Sequence, residues 1–234
     1  MTDRLRLALL FTDGNFIGPE YFAVLSRAGW RPDMVVAVGA MSEHSRTIER
    51  ARTGGLWRPP PIPEDAVAGR FASLDDPEFR AFLTAARIDV AIQGGIGILR
   101  PETIAIPRLG ILNAHPGRLP GYRGRNCPEW ALDNGEPIWI TAHWIDSGID
   151  TGPVVCESRY EFPATWTYER IRASLYAHCA QTLATALDQI AGALREGRPV
   201  PAVAQPQIGA RAWPKMDDER LAALRARLER GAAR

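Results

Sequence analysis

Short apolar runs alternate with stretches of helical periodicity through the first half of the chain, and this alternation constrains the fold more than any other feature. Leu7–Phe11 reads as a strand, the turn residues Asp13, Gly14 and Asn15 follow it, and Phe16–Ala28 carries Tyr21, Phe22, Val24 and Leu25 on one helical face. Met34–Val38 and Met41–Ala51 repeat the strand-then-helix order, as do Arg70–Leu74 and Pro77–Ala86. Asp89–Ile92 is a fourth strand, ending at Gly94 and Gly95, and Leu109–Leu112 is a fifth. The segment Pro59–Pro63 cannot continue a helix and must be loop. Strands that each return through a helix run parallel, with right-handed crossovers. The expected fold is therefore α/β, a doubly wound and mostly parallel sheet. Ligands of such sheets bind beyond the carboxyl ends of the strands. Asn113 and His115 fall just past the Leu109–Leu112 run, where a site belongs.

Farther along, Ile138–Ile145 and Val154–Tyr160 read as two more strands, the second lying beyond a Gly-Pro turn. Thr167 is placed to cap a long helix in which Ile171, Leu175, Leu183, Leu187, Ile190 and Leu194 recur at helical spacing. Gly197–Pro201 ends that helix. A tail follows, with Trp213-Pro214-Lys215 and then Asp217 capping a helix that carries Leu221, Leu224 and Leu228 on one face. The expected division is a catalytic domain over 1–200 and a short C-terminal extension over 201–234. The tail helix could pack on its own domain or on a second subunit, and a homodimer is the expectation.

Charge and cysteine content narrow the function classes. The 28 basic and 27 acidic residues leave a formal charge of +1, which argues against a broad nucleic-acid footprint. Cys127, Cys156 and Cys179 form no Cys-x-x-Cys pair, so neither a structural zinc nor a redox couple is suggested, and no metal is expected. Met1–Leu10 has Arg4 and Arg6 inside its apolar stretch and lacks a signal-peptide core, and no run approaches a membrane span. A cytoplasmic protein without a membrane partner is expected.

The chemistry is concentrated between Leu112 and Val155. This stretch holds Asn113-Ala114-His115-Pro116, then Leu119-Pro120-Gly121-Tyr122-Arg123-Gly124, then His143, then Asp146-Ser147-Gly148-Ile149-Asp150-Thr151-Gly152-Pro153. An amide and an imidazole two residues apart on an extended segment point to the same side. Asp150 sits in a Gly-bracketed loop, which suits a backbone that wraps closely around a ligand. Acyl transfer to an amine needs donors for the developing oxyanion, a base for the ammonium proton, and an acid for the leaving nitrogen. Asn and a protonated His can donate to an oxyanion, and an Asp can orient an imidazole and favour its charged form. No Gly-x-Ser-x-Gly elbow offers a nucleophile. Gly95-Ile96-Gly97-Ile98-Leu99-Arg100 begins like a dinucleotide fingerprint, but Arg100 stands where the third Gly belongs and the segment follows a late strand. His44 and His178 are expected to be structural hydrogen-bonders, and Trp130, Trp139 and Trp144 to be core. Trp213 could stack on a ligand, pack across a dimer, or simply be buried.

Taken together these motifs resemble the folate-dependent formyltransferase family, with its Asn-x-His-Pro, Leu-Pro-x-Tyr-Arg-Gly and Asp-x-Gly-x-Asp-Thr-Gly-Pro segments. The resemblance implies a Rossmann-like formyltransferase fold and 10-formyltetrahydrofolate as co-substrate. It implies Asn113, His115 and Asp150 as the catalytic trio, with His143 in support. Asn113 and His115 would stabilise the oxyanion on the formyl carbon, His115 would deliver a proton to the departing folate nitrogen, and Asp150 would orient it and help remove the amine proton through water. Gly94, Gly95, Gly97, Ile98 and Leu99 would line the folate pocket, and the loop of Ser147, Gly148 and Thr151 would read the pterin edge. Tyr122, Arg123 and Gly124 would face the acceptor, where an Arg suits an anionic group. Pro116 is followed by Gly117-Arg118 where many members carry Ser-Leu, which adds a charge near the acceptor side.

The chain is similar to methionyl-tRNA formyltransferases in this block, but they generally carry an extra C-terminal barrel. Here about 35 residues follow the long helix, fewer than a usual domain. Glycinamide ribonucleotide transformylases are of comparable length but typically read Glu-Leu-Asp-Gly-Gly-Pro in the loop. Gly148–Pro153, Cys127–Leu132 and the Trp213-Pro214-Lys215 tail more closely resemble the sugar N-formyltransferases, which implies a small-molecule amine acceptor, a nucleotide-linked amino sugar. The alternatives are an amine of a modified amino acid or secondary metabolite, and hydrolysis of the formylfolate without an acceptor.

Overall fold

A computed structural model describes residues 4–206 and 212–231. Seven strands form one sheet: β1 (Leu7–Asp13), β2 (Met34–Ala40), β3 (Val67–Phe71), β4 (Val90–Gly94), β5 (Gly110–His115), β7 (Trp139–Trp144) and β8 (Val154–Arg159). Their order is β3-β2-β1-β4-β5-β7-β8. The first five are parallel, β7 runs antiparallel to β5, and β8 antiparallel to β7. The doubly wound, mostly parallel α/β sheet expected from the sequence is what the chain forms.

Alternation along the strands builds a core on each face of the sheet. From β1, Leu7, Leu9 and Phe11 pack with Tyr21, Val24 and Leu25 of α1 (Ile17–Arg27) and with the long helix α6 (Tyr168–Arg195). Ala8 and Leu10 point the other way, against Phe79 and Leu83 of α3 (Pro77–Ala85). The helix α2 (Glu43–Arg52) buries no residue and starts at Ser42, whose side chain accepts from the Ser45 amide. Thr167 and Asp217 cap as their sequence positions suggest, accepting from the amides of Arg170 and Arg220. The tail helix α7 (Asp218–Glu229) buries Leu224 and Leu228 against its own chain, with Leu221 half-buried beside them. Leu194, expected on the buried face of α6, is instead exposed. In that last turn Ile190, Ala191 and Ala193 take the buried positions.

Two strands differ from their sequence reading in ways that matter. The third lies at Val67–Phe71 rather than 70–74, because Val67 to Phe71 pair with β2, and Leu74 packs on the core from the bend that follows. The fifth runs three residues past Leu112, to His115. Pairing of β5 with parallel β4 stops at Ile92–Leu112, but antiparallel β7 continues alongside through Asn113–His143, Ala114–Ala142 and His115–Thr141. Asn113 and His115 thus project beyond the carboxyl edge of the parallel sheet while a strand still holds their backbone. Three short elements were not legible locally: α4 (Pro101–Ile104), α5 (Cys127–Asp133), and a two-stranded ribbon of β6 (Arg123–Gly124) with β9 (Ala212–Trp213). Among the described residues no helix is long and apolar enough to cross a membrane, and no group of side chains is arranged to hold a metal.

Candidate active site

The register of β5 against β7 sets Asn113 directly across from His143, and residues opposite each other share a face of the sheet. Their side chains meet: Asn113 Nδ2 lies 3.1 Å from His143 Nε2. The other ring nitrogen, Nδ1, lies 2.9 Å from the Trp144 carbonyl, which can only accept, so Nδ1 carries the hydrogen. Nε2 is then the acceptor for the Asn113 amide. His143 is 2% exposed; burial, with the His115 ring beside it, pushes its pKa down to about 4. It is a neutral ring whose tautomer is set by a backbone carbonyl.

His115, two residues along β5, is 5% exposed. Its Nε2 donates to the Tyr122 carbonyl at 2.6 Å. Its Nδ1 faces Asp150 Oδ1 at 3.4 Å, and the same carboxylate oxygen is 3.9 Å from His143 Nε2. Asp150 Oδ2 accepts from the Gly124 amide at 2.9 Å. The trio and its supporting histidine therefore do come together, with the Asp150 carboxylate between the two rings.

A cleft of about 260 Å³ opens on this group. One wall is Gln93 and Gly97–Leu99 after β4, the other Ser147–Asp150 in the β7–β8 loop, and Asn113 and His143 form its inner end. Ile98 and Ile149 are 85% and 59% exposed, so both lips are aliphatic. A hollow of about 630 Å³, lined by Leu132–Ile138, Arg159–Phe162 and Arg227, lies at the opposite end of β7, away from these residues. Size alone does not mark the site; convergent polar groups do.

Several residues expected at the site stand elsewhere. His115 does not line the cleft; it lies behind Asp150, with both ring nitrogens directed at oxygens. Gly94 and Gly95 lie beneath the cleft, their carbonyls accepting from Asn15 Nδ2 at 2.9 and 2.8 Å. The Thr151 hydroxyl bonds Asp146 Oδ1 at 2.6 Å and closes its own loop instead of facing a ligand. Tyr122 is buried, its hydroxyl accepting from Asn134 and its ring stacked on Trp213. Arg123, expected to meet an anionic acceptor, is 6% exposed, and its guanidinium is bound to Gln205. The Tyr122–Gly124 strip backs the trio through its carbonyl and amide groups because β6 is pinned from behind by β9. Arg118 lies over the Trp139 ring, with Glu157 3.6 Å away. Trp130 and Trp144 are buried, and their indoles donate to the carbonyls of Pro214 and Pro201. His178 bonds Ser158, and Trp213 packs on Tyr122 and Trp130. Gln93, Ile149 and Gln205 were not singled out from sequence. Ile149, inside the motif, could have been; Gln205 carried no local signal.

A family model described as formyl transferase matches residues 32–187. The methionyl-tRNA formyltransferase of Deinococcus radiodurans is 34% identical over 142 residues, 55% of this chain and 43% of that protein. That of Xanthomonas campestris pv. campestris is 34% identical over 201 residues, 82% of this chain and 62% of that protein. The chain thus spans about half the length of the curated relatives it matches. Among solved structures, glycinamide ribonucleotide transformylase 1 from Symbiobacterium toebii shares the fold with a TM-score of 0.60 at 19% identity, covering 88% of this chain and 96% of that one. A 4-N formyltransferase from Francisella tularensis does so at 0.59 and 15%, covering 95% and 87%. By its matched family model, with the fold in accord, this chain belongs to the formyl transferase family.

Proposed function

We propose that this protein transfers a formyl group from 10-formyltetrahydrofolate to the primary amine of a nucleotide-linked amino sugar, as a cytoplasmic enzyme. The observation that carries this reading is a cleft with aliphatic lips that ends on Asn113, His143 and Asp150. A flat heterocycle with a polar edge suits it: Gly97, Ile98 and Leu99 would hold one face, and Ser147, Gly148 and Ile149 the other. Attack by an amine on the formyl carbon places negative charge on the formyl oxygen. Asn113 has a second Nδ2 hydrogen to donate there, beyond the one directed at His143. Asp150, at the cleft wall, would take the amine proton through water. Its Oδ1 faces His115 Nδ1, so a proton can pass between them and return toward the leaving nitrogen. His143, held neutral, orients the Asn113 amide.

The sugar acceptor is supported by the Gly148–Pro153 and Cys127–Leu132 segments and by the near-balance of charge. The curated relatives, named methionyl-tRNA formyltransferases, favour charged methionyl-tRNA as the second reading. The test is formyl transfer across a panel of nucleotide-linked 3- and 4-amino sugars, ornithine derivatives, glycinamide ribonucleotide and charged methionyl-tRNA, read as mass gain. A single amino sugar one formyl heavier is the expected result. Formylation of the tRNA alone would overturn the acceptor, and formate release with no amine product would overturn the transfer.

A further inference from the structure

Gln205 lies in the segment after α6, far along the chain from the motif, and none of the chemistry above uses it. Its side chain is buried and bonded on both sides. Oε1 accepts from Arg123 Nε at 3.1 Å and Nη2 at 2.6 Å. Nε2 donates to the carbonyl of Asp150 at 3.0 Å and of Gly152 at 2.7 Å. A guanidinium only donates and a carbonyl only accepts, so the amide points one way; a flip would break all four contacts. The backbone around it is fixed by an antiparallel bridge between Val154 and Val203 and by the bond from Trp144 Nε1 to the Pro201 carbonyl.

The residue so held is under conformational demand. Asp150 has φ +54°, the left-handed region that L-residues rarely adopt. Its two carboxylate oxygens have separate tasks, one on the Gly124 amide and one toward His115. Relaxing φ at this residue would swing the carboxylate off both. Gln205 brackets the 150–152 backbone, and its own anchor, Arg123, immediately precedes the glycine whose amide holds the carboxylate. Gly152 lies close against the adjacent strand, where a Cβ would fall 1.8 Å from the Trp144 carbonyl, so only glycine fits there.

We propose that Gln205, clamped by Arg123, is a positioning residue that holds the Asp150 backbone in its left-handed form and so keeps the carboxylate between His115 and the cleft. This rests on Asp150 serving formyl transfer as proposed above. Gln205→Glu tests it, because the side chain keeps its length and its Arg123 contact but turns an oxygen toward two carbonyls. The expected result is a folded protein whose kcat falls roughly 10- to 100-fold while KM for the formylfolate stays within about 3-fold. The imidazole 15N signals of His115 should shift as they do in Asp150→Asn. Should Gln205→Glu fail to fold, Gln205→Met, which removes all four hydrogen bonds at similar volume, carries the same expectation. A folded variant with unchanged kcat and unchanged His115 signals would overturn the clamp. The histidine signals need no substrate. If the unaltered protein formylates no amine, the formyl-transfer reading falls, and a His115 shift in Gln205→Glu still decides for the clamp, its absence against.

Discussion

Two clusters of polar side chains in this protein are built on different terms. In one, Asn113 and His143 bond each other, backbone groups of Tyr122 and Gly124 hold His115 and Asp150, and Asn113, His143 and Asp150 border a cleft. Glu129 of α5, with Tyr168 and Arg172 of α6, is sealed. The Tyr168 hydroxyl donates to Glu129 Oε1 at 2.8 Å, Arg172 Nη1 stands 3.7 Å from the same oxygen, and Glu129 Oε2 and Arg172 Nε have no partner among the described residues. Burial pushes the Glu129 carboxyl up, but the guanidinium and the phenol outweigh it and hold the carboxyl below its usual range. Burial likewise opposes the Arg172 charge, and Glu129 more than offsets this. The sealed pair ties two helices together; the open group faces a cleft. Burial of charge alone therefore does not identify chemistry; access and directed lone pairs do.

The largest effect is expected where the sealed pair is cut. Arg172→Met strands a buried carboxylate and should cost about 3–5 kcal/mol in denaturant unfolding, with turnover per folded molecule unchanged. A folded variant with impaired turnover would mean that the two groups are coupled. His115→Ala should do the reverse, lowering turnover by about 100-fold or more while circular dichroism stays native. Near-normal turnover would remove His115 from the machinery.

A pH titration sharpens the contrast on the open side. His143 titrates near 4 in the folded protein, against about 6.5 when unfolded. As pH falls, the unfolded chain takes up this proton first, so stability is full above about 6.5 and is lost progressively toward 4. Unfolding of His143→Gln should show a shallower loss over that window, and parallel curves would count against the assignment. The smallest effect concerns the lip of the cleft. Ile149→Ser should raise KM for the formylfolate by roughly 3- to 10-fold and leave stability within about 0.5 kcal/mol. An unchanged KM would place the folate elsewhere.

Much of this molecule was legible in its residues. Apolar periodicity located β1, α1, β2, β4 and α6, and Thr167 and Asp217 marked their helix starts, because these features depend on neighbours a few positions away. The spacing of Asn113 and His115 fixed them on one side of an extended segment, and the motif brought Asp150 to them. The reading failed where a partner from far along the chain decides the outcome. β5 extends to His115 because β7 lies beside it, and Tyr122–Gly124 turns its backbone to the site because Trp213 pins it from behind.

What the sequence determined by itself is the layering of the fold, the family, and the set of candidate site side chains. Tertiary structure decided which atoms of that set face the cleft and which are spent on holding it: Arg123 on Gln205, Thr151 on Asp146, His115 on the Tyr122 carbonyl. The reason is physical. A burial pattern is summed over many weak apolar contacts and survives in local periodicity, whereas a hydrogen bond depends on one distance and one direction. Asn113 and His143 are 30 residues apart, and Arg123 and Gln205 are 82 apart, so only the folded chain can set either.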